Sequence, residues 1–272
     1  MSDFANQYGP WALVAGASDG VGSAMAEELA RRGLNVVLLA RRQEVLDDVA
    51  ADITARTGVQ TRTLAIDLAV PGAAGDVIAA TEDLNIGFLV YCAGADPNFR
   101  PFLSSPLSDA ESLVQRNCLV PMQLCHHYAQ PMVERGRGGI VIFGSGAGFA
   151  GGPNMVAYGA SKAFDMVFAE ALWTELHSSG VDVLGLILGK TDTPALRKLE
   201  HERGQISSPE DTPPGAAAVD DVVAAAFANL TEGPTCLVGP EIQAAAQLMA
   251  SVSRNEAVRF IAQAVTAAMG ET

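Results

Sequence analysis

Tyr158 and Lys162 stand four residues apart in the run Tyr158-Gly159-Ala160-Ser161-Lys162, and Ser145 precedes the tyrosine by thirteen positions. The apolar spacing of Phe164, Val167, Phe168 and Leu172 continues that run as a helix. Residues four apart share one helix face, so an ammonium is held near a phenol. A free phenol titrates near about 10 and is a poor proton carrier at neutral pH. A nearby cation favours the phenolate and brings the group into working range. Ser145 follows the apolar run Ile140-Val141-Ile142-Phe143, a strand whose end would present the hydroxyl beside that helix. One hydroxyl to orient a carbonyl, a second to move its proton and a cation to tune it suit carbonyl–alcohol redox chemistry. A tyrosine–lysine pair alone is common on helices; what gives this one weight is the company it keeps.

Near the start of the chain, Leu13-Val14-Ala15 leads into Gly16-Ala17-Ser18-Asp19-Gly20-Val21-Gly22, and a helical pattern of Ala24, Ala26, Leu29 and Ala30 ends at Gly33. Strand, glycine turn and helix are the context a phosphate-binding loop requires. Glycines let the backbone approach a pyrophosphate, and the free N–H groups of the helix start attract its charge. The spacing is G-x-x-x-G-x-G, not the commoner G-x-G-x-x-G, and a glycine-rich turn alone can be a plain turn. The next strand, Asn35-Val36-Val37-Leu38-Leu39, runs into Ala40-Arg41-Arg42. An acid at that strand end would bind ribose hydroxyls and favour NAD. Ala40 cannot do so, whereas Arg41 and Arg42 can hold the 2′-phosphate of NADP. Asp19 pulls the other way, since a carboxylate near a dianion is unfavourable. The arginines outweigh it because they replace the acid and also add charge: NADP(H) is preferred, with NAD(H) the lesser option.

With these motifs in place, the chain resembles the short-chain dehydrogenase/reductase family over nearly its full length. The matched features are Gly16, Gly20, Gly22, Asp67, Asn117, Ser145, Tyr158, Lys162, Gly189 and Thr193. Within the family, Ala17-Ser18-Asp19-Gly20-Val21-Gly22, Asn85-Ile86-Gly87-Phe88-Leu89-Val90 and Met132-Val133-Glu134-Arg135 are similar to the subgroup of 3-oxoacyl-CoA and 17β-hydroxysteroid reductases. Members of that subgroup use NADPH despite the same loop aspartate. The resemblance implies Tyr158 as acid/base, Ser145 as the group that orients the substrate oxygen, and Lys162 as ribose ligand and tuner of the tyrosine. It implies Asn117 as part of a proton relay. It places Ser18, Asp19, Val21, Asp67, Leu68, Ala93, Gly94, Gly189, Thr191 and Thr193 around the cofactor. Asn117 has local support as well. Pro121, four residues on, has no N–H to offer its carbonyl, which a helix would leave free to hold a water; alternatively Pro121 merely kinks a helix.

Two departures stand out. Where the family has Asn-Asn-Ala-Gly, this chain has Tyr91-Cys92-Ala93-Gly94, so the asparagines that tie neighbouring strands are missing. Where Pro-Gly is expected, Leu188-Gly189 stands. Gly94 still allows backbone approach, and neither change touches the proton-transfer group.

The 272 residues are 49% hydrophobic, enough for one large α/β core. Strand-like runs near 11–16, 35–40, 61–66, 86–92, 139–145, 181–188 and 235–239 alternate with helical ones. The pattern predicts a Rossmann-like, doubly wound, seven-stranded parallel sheet with helices on both faces, in a single domain 1–272. The proline-bearing, charged segment 191–218 reads as a mobile substrate lid, or simply as a variable surface loop. Beyond the last strand, 240–272 forms a helical extension with an apolar stripe of Leu248, Val252, Phe260, Ile261, Val265 and Met269. It could cap the substrate pocket, pack on another subunit or pack on its own domain. Candidate substrate walls are Phe99 and Phe102 in the 95–107 loop, Phe149 and Met155 in segment 147–156, and Leu196 in the lid. They imply a lipophilic ketone, steroid or 3-oxoacyl derivative.

A net charge of −14 argues against a nucleic-acid surface and gives no general help to acyl-CoA binding, for which Arg197, Lys198 and Arg203 are the obvious basic candidates. No apolar stretch approaches a membrane span, so a membrane anchor is not expected. Cys92, Cys118, Cys125 and Cys236 lack metal-ligand spacing and read as reduced residues of a cytoplasmic protein. The four histidines show no zinc pattern, His126 and His127 lying along the helix after Asn117. A homodimer or homotetramer built on the helices around Asn117 and Tyr158 is what the resemblance implies. The rival from another class is a nucleotide-binding regulator or scaffold that has kept the fold and lost turnover. An epimerase or dehydratase would carry a longer substrate domain. Cofactor choice is tested by comparing NADPH with NADH in wild type and Arg41→Ala: wild type should prefer NADPH and the substitution should erode that preference, and an unchanged ratio would remove the assignment.

Overall fold

A computed structural model of the chain describes residues 3–95 and 99–269. Seven strands form one sheet: β1 (Trp11–Ala15), β2 (Asn35–Ala40), β3 (Thr61–Ala65), β4 (Ile86–Tyr91), β5 (Gly138–Ser145), β6 (Val181–Leu188) and β7 (Thr235–Leu237). All pairings are parallel, in the order β3-β2-β1-β4-β5-β6-β7. Each strand lies within two residues of the one expected from its apolar run. The reason is physical: a parallel sheet covered on both faces buries every side chain, so its strands read as unbroken hydrophobic stretches. All six residues of β4 are buried.

The faces are sorted by alternation along each strand. Ala12 and Val14 of β1 join Val36 and Leu38 of β2 in one core layer, while Leu13, Ala15, Val37 and Leu39 join the other. The first layer is closed by α2 (Gly20–Arg31), α3 (Gln43–Thr57) and α9 (Val219–Asn229), through Met25, Leu29, Leu46 and Val222. The second is closed by α4 (Ala73–Ala79), α6 (Val120–Glu134) and α7 (Val156–Leu176), through Val77, Leu124, Met132 and Ala169.

A short helix not anticipated from the sequence, α1 (Asp3–Tyr8), precedes β1. Six residues are too few for periodicity to declare a helix or for local propensity to hold one. Tertiary contacts hold it instead. Tyr8 packs edge-on to Phe88 and its hydroxyl donates to the Asp182 carboxylate at 2.7 Å.

The segment through Asn117 is α5 (Leu107–Val114), a π-helical turn (Gln115–Leu119) and then α6. Pro121 explains the widened turn. It has no N–H for the carbonyl of Asn117, and its ring would clash with that carbonyl in an ordinary α-helix. The interruption therefore falls at a candidate site residue.

In segment 191–218, α8 (Pro194–Glu202) starts at an N-cap where Thr193 Oγ1 accepts from the Leu196 N–H at 3.2 Å. Arg197 makes two bonds to the Asp192 carboxylate, at 2.5 and 2.7 Å, and a third to the Glu210 carbonyl at 2.8 Å. These tie the start of the segment to Glu210, and a bridge between Thr191 and Ala217 joins its two ends.

The C-terminal helices α10 (Pro240–Ser251) and α11 (Arg254–Met269) pack on their own chain. Arg254 donates to the Phe149 carbonyl, Ala257 is buried, and Ile261 faces Gly152. The extension thus braces segment 147–156. The side chain of Met269, the last member of the apolar stripe, lies outside the described residues, as do residues 96–98 of the 95–107 loop. No helix among the described residues is long and apolar enough to cross a membrane. Since Leu89 is fully buried in β4, Leu89→Ala should cost about 2–5 kcal/mol of unfolding free energy in chemical denaturation. A loss below about 1 kcal/mol would contradict the tightly packed inner layer.

Candidate active site

The order of strands reverses between β1 and β4, and at such a point the C-terminal strand ends part to leave a crevice. Gly16 sits there with φ +91°, and a Cβ on it would lie 2.9 Å from the Ala93 nitrogen. Only glycine fits this crossing of backbones. Gly22 lets α2 approach the strand end, since a Cβ there would come 2.0 Å from the Gly16 carbonyl oxygen. The N-terminus of α2 points its N–H groups at the crevice mouth. Val21 is buried in that first turn and Ser18 lines the cavity beside it.

Asp19 is the N-cap of α2, its carboxylate accepting from the Gly20 N–H at 2.7 Å. Its charge is thus engaged by the helix start rather than turned into the cavity. Arg41 and Arg42, both exposed, line the same cavity as Gly16 and Ser18, with Asp67, Leu68, Ala93 and Gly94 on the opposite side. Asp67 accepts from the Ala69 N–H at 3.0 Å. Thr193 closes the far edge, its methyl 2.9 Å from where a Gly20 Cβ would stand. Gly189 abuts Ile242 of α10. Thr191 bridges to Ala217, and its buried hydroxyl has no hydrogen-bond partner among the described residues.

Beneath the crevice four groups meet. Asn117 is fully buried; its Nδ2 donates to the Gly94 carbonyl at 3.2 Å and to Ser161 Oγ at 2.9 Å. Lys162 Nζ donates to the Phe143 carbonyl at 2.8 Å and to the Asp165 carboxylate at 2.9 Å. Gly94 lies between them: a Cβ there would be 2.9 Å from Asn117 Oδ1 and 3.1 Å from Lys162 Nζ. Tyr158, half-buried on the same helix as Lys162, has its ring centroid 6.0 Å from that ammonium.

Ser145 ends β5, its Oγ accepting from the Ala147 N–H at 3.2 Å. The turn after it presses on α7, since a Cβ on Gly148 would come 2.6 Å from the Ala163 nitrogen. Strand end and helix are therefore in direct backbone contact, which brings Ser145 to the tyrosine's end of α7.

A second cavity opens on Tyr158, with Phe102, Leu113, Met155 and Val156 as apolar walls and Arg100 and Arg116 among its polar ones. Phe99, at φ +45°, sets its ring edge-on to Tyr158 at 5.8 Å, and the Arg203 guanidinium lies over it at 5.4 Å. Phe149 and Leu196 do not line this cavity; Phe149 stands instead under α10 and α11. Arg197 is engaged by Asp192, and Lys198 is exposed beside Glu202.

Two site residues escaped the sequence reading. Arg116 lines both cavities and donates to the Ala95 carbonyl at 2.7 Å and to Asn117 Oδ1 at 3.3 Å. Asp165 faces Lys162; an acid one turn after the lysine inside the apolar run Phe164–Phe168 was its signal.

The missing strand-tying asparagines find a structural answer. Tyr91 is buried, and its phenol donates to the Arg116 carbonyl in the π-helical turn. The phenol ties β4 to the turn that carries Asn117. Burial holds the Tyr91 phenol well above its ordinary range, and holds the Cys92 thiol up at about 12 despite the pull of Lys162. Both stay neutral.

This crevice, with its glycine-lined strand ends and a tyrosine–lysine helix beside it, belongs to a known class. A profile of the short chain dehydrogenase family matches residues 10–204, and the chain belongs to that family. Its members interconvert alcohols and ketones, and so does this enzyme. It is 37% identical over 190 residues to the 7beta-hydroxysteroid dehydrogenase of Collinsella aerofaciens, the match covering 70% of this chain and 72% of that one. A solved structure of a 7beta-hydroxysteroid dehydrogenase superposes with TM-score 0.86 at 32% identity, covering 96% of this chain and 99% of the other. A short-chain dehydrogenase from Sphingobium yanoikuyae, solved in complex with NADPH, gives TM-score 0.72 at 31% identity over 90% of this chain and 96% of that one.

Tyr91→Phe keeps the ring and removes the tie. It should lower unfolding free energy by about 1–3 kcal/mol, the range for removing one partner of a hydrogen bond shielded from water. Superimposable denaturation curves for the two proteins would show that the bond carries no stability.

Proposed function

We propose that the enzyme is an NADP(H)-dependent reductase/dehydrogenase of lipophilic, steroid-like ketones and secondary alcohols, with Tyr158 as general acid/base. The observation that carries this reading is the convergence of Tyr158, Lys162, Asn117 and Gly94 where the two cavities meet. The residues suit the cofactor. The glycine crossing leaves room for a pyrophosphate at the start of α2, and Arg41 and Arg42 stand where a 2′-phosphate would lie. Asp19 does not oppose that phosphate strongly, because its carboxylate is held at the Gly20 N–H. The Sphingobium yanoikuyae relative, solved in complex with NADPH, is in keeping with this reading.

Bound there, a nicotinamide supplies or takes the hydride at the carbonyl carbon. Tyr158 gives the oxygen its proton in reduction and takes it back in oxidation. Ser145 orients that oxygen by a hydrogen bond. Lys162 holds the ribose and, by its charge, favours the phenolate. Asn117, fixed by Gly94 and Ser161 over the π-helical turn, passes the proton onward through a water. The apolar walls Phe102 and Met155, with Phe99 set edge-on to Tyr158, exclude water and suit a rigid hydrocarbon skeleton, as the hydroxysteroid relative suggests. Segment 191–218 covers the bound substrate. Exposed Val114, Leu119 and Met122 near the π-helical turn, with Val156 and Val167 on α7, offer the apolar faces for a homodimer or homotetramer.

The test is Tyr158→Phe, assayed with NADPH on a panel of ketosteroids and 3-oxoacyl thioesters. Turnover should fall by about 10²–10⁴-fold, the usual contribution of a positioned proton-transfer group. NADPH fluorescence titration should still show binding. Turnover within a few-fold of wild type would remove Tyr158 from the mechanism, and thioesters turned over faster than steroids would move the substrate class.

A further inference from the structure

Lys162 and Asp165 form an ion pair whose side chains are 6% and 2% exposed. An ammonium has three donors. Two are engaged from beneath, by the Phe143 carbonyl and the Asp165 carboxylate. The side of Nζ toward Gly94, where a Cβ would be 3.1 Å away, is the side of the cofactor crevice. We propose that Asp165 is a positioning residue for catalysis: its carboxylate keeps Lys162 charged and clamped from below, so that the remaining N–H is presented upward and the positive charge stays beside Tyr158. This inference rests on the roles given above to Tyr158 and Lys162.

The surroundings leave this task to Asp165. The groups that face the pair are Tyr91 and Cys92 at the end of β4, Arg116 and Cys118 in the π-helical turn, Cys125 on α6 and Tyr158 on α7. Burial keeps the Tyr91 phenol far above neutrality and pushes the thiols of Cys92, Cys118 and Cys125 up to about 12, 11 and 12. None of these four supplies an anion near neutral pH. Arg116 adds a second cation. A buried ammonium without a counter-charge sheds its proton or leaves its place.

Stability alone does not account for the pair. Burial drives the Asp165 carboxyl upward while Lys162 pulls it back down. Its Oδ1 is buried and has no hydrogen-bond partner among the described residues. Replacing both members of a buried ion pair by apolar residues of similar size is often neutral for stability, so stability alone is no reason to keep this one. What an apolar residue could not do is hold the lysine charged.

The experiment uses the purified full chain with NADP+ and a secondary hydroxysteroid, because alcohol oxidation requires Tyr158 ionised. The pH profile of kcat is measured for wild type, Asp165→Asn (same shape, no charge) and Asp165→Ser (smaller, room for water). If Asp165 maintains the lysine's charge, Tyr158 loses its cation in both variants. The acid limb should then move to higher pH by about one unit, equal to tenfold less phenolate at a given pH. An unmoved limb means the carboxylate does not act on the tyrosine. A limb moved to lower pH means it merely opposed a lysine that keeps its charge unaided. Failure of both variants to fold makes Asp165 a structural residue. Each of these three outcomes overturns the inference. Tyr158→Phe run alongside separates the two levels: turnover retained there overturns the tyrosine reading and this inference with it, whereas an inactive Phe variant beside an unmoved Asn profile overturns Asp165 alone.

Discussion

Two backbones cross at van der Waals distance where β1 and β4 end, and the rest of the site follows from that approach. Gly16 can lie against Ala93 only because neither side chain nor ordinary φ is demanded of it. The approach opens the crevice at the reversal of strand order, sets the start of α2 over its mouth, and brings Gly94 down onto Asn117 and Lys162. A larger residue at any of these glycines would push the start of α2 and the strand ends apart from Asn117 and Lys162. The second constraint is the contact of the turn after Ser145 with the backbone of α7, which fixes the serine's strand against the tyrosine's helix.

The π-helical turn shows how one local rule serves a distant need. Pro121 removes a donor and adds a clash, so the helix widens at Gln115–Leu119. The widened turn presents Asn117 inward, to Gly94 and Ser161, and offers the Arg116 carbonyl to the phenol of Tyr91. Family members with asparagines after the fourth strand tie this region differently. Here a buried aromatic reaches the same turn from the strand side, which keeps the departure compatible with a working site.

Electrostatics in the site are sorted by depth. Charges at the rim, such as Arg41, Arg42 and Asp19, are exposed; the two arginines suit a solvated phosphate, while the Asp19 carboxylate is engaged at the Gly20 N–H. Below them lie one ammonium and one carboxylate, with Arg116 close by and the Tyr91 phenol and neighbouring thiols kept neutral by burial. A fixed cation has its greatest effect where solvent is excluded, which is where Lys162 is held.

The seven strands and the main helices were legible in the sequence, because a doubly covered parallel sheet writes itself as continuous apolar runs and its helices as periodic ones. Glycine spacing, the paired arginines and the Ser145, Tyr158 and Lys162 series marked the candidate site because each carries its chemistry in local order. The six-residue α1 was not legible, since its stability comes from Phe88 and Asp182, far along the chain. Phe149, Leu196 and the C-terminal stripe could be recognised as apolar but not assigned a neighbour. Folding set Phe149 beneath the C-terminal helices and used those helices to brace the chain's own segment 147–156. Arg116 and Asp165 gained meaning only in three dimensions. Residue type and spacing therefore determined which chemistry is available, because periodicity and local hydrogen bonding act over a few residues. Tertiary structure decided which groups share a low-dielectric space, because burial and the partner of a buried charge are set by residues distant in the chain.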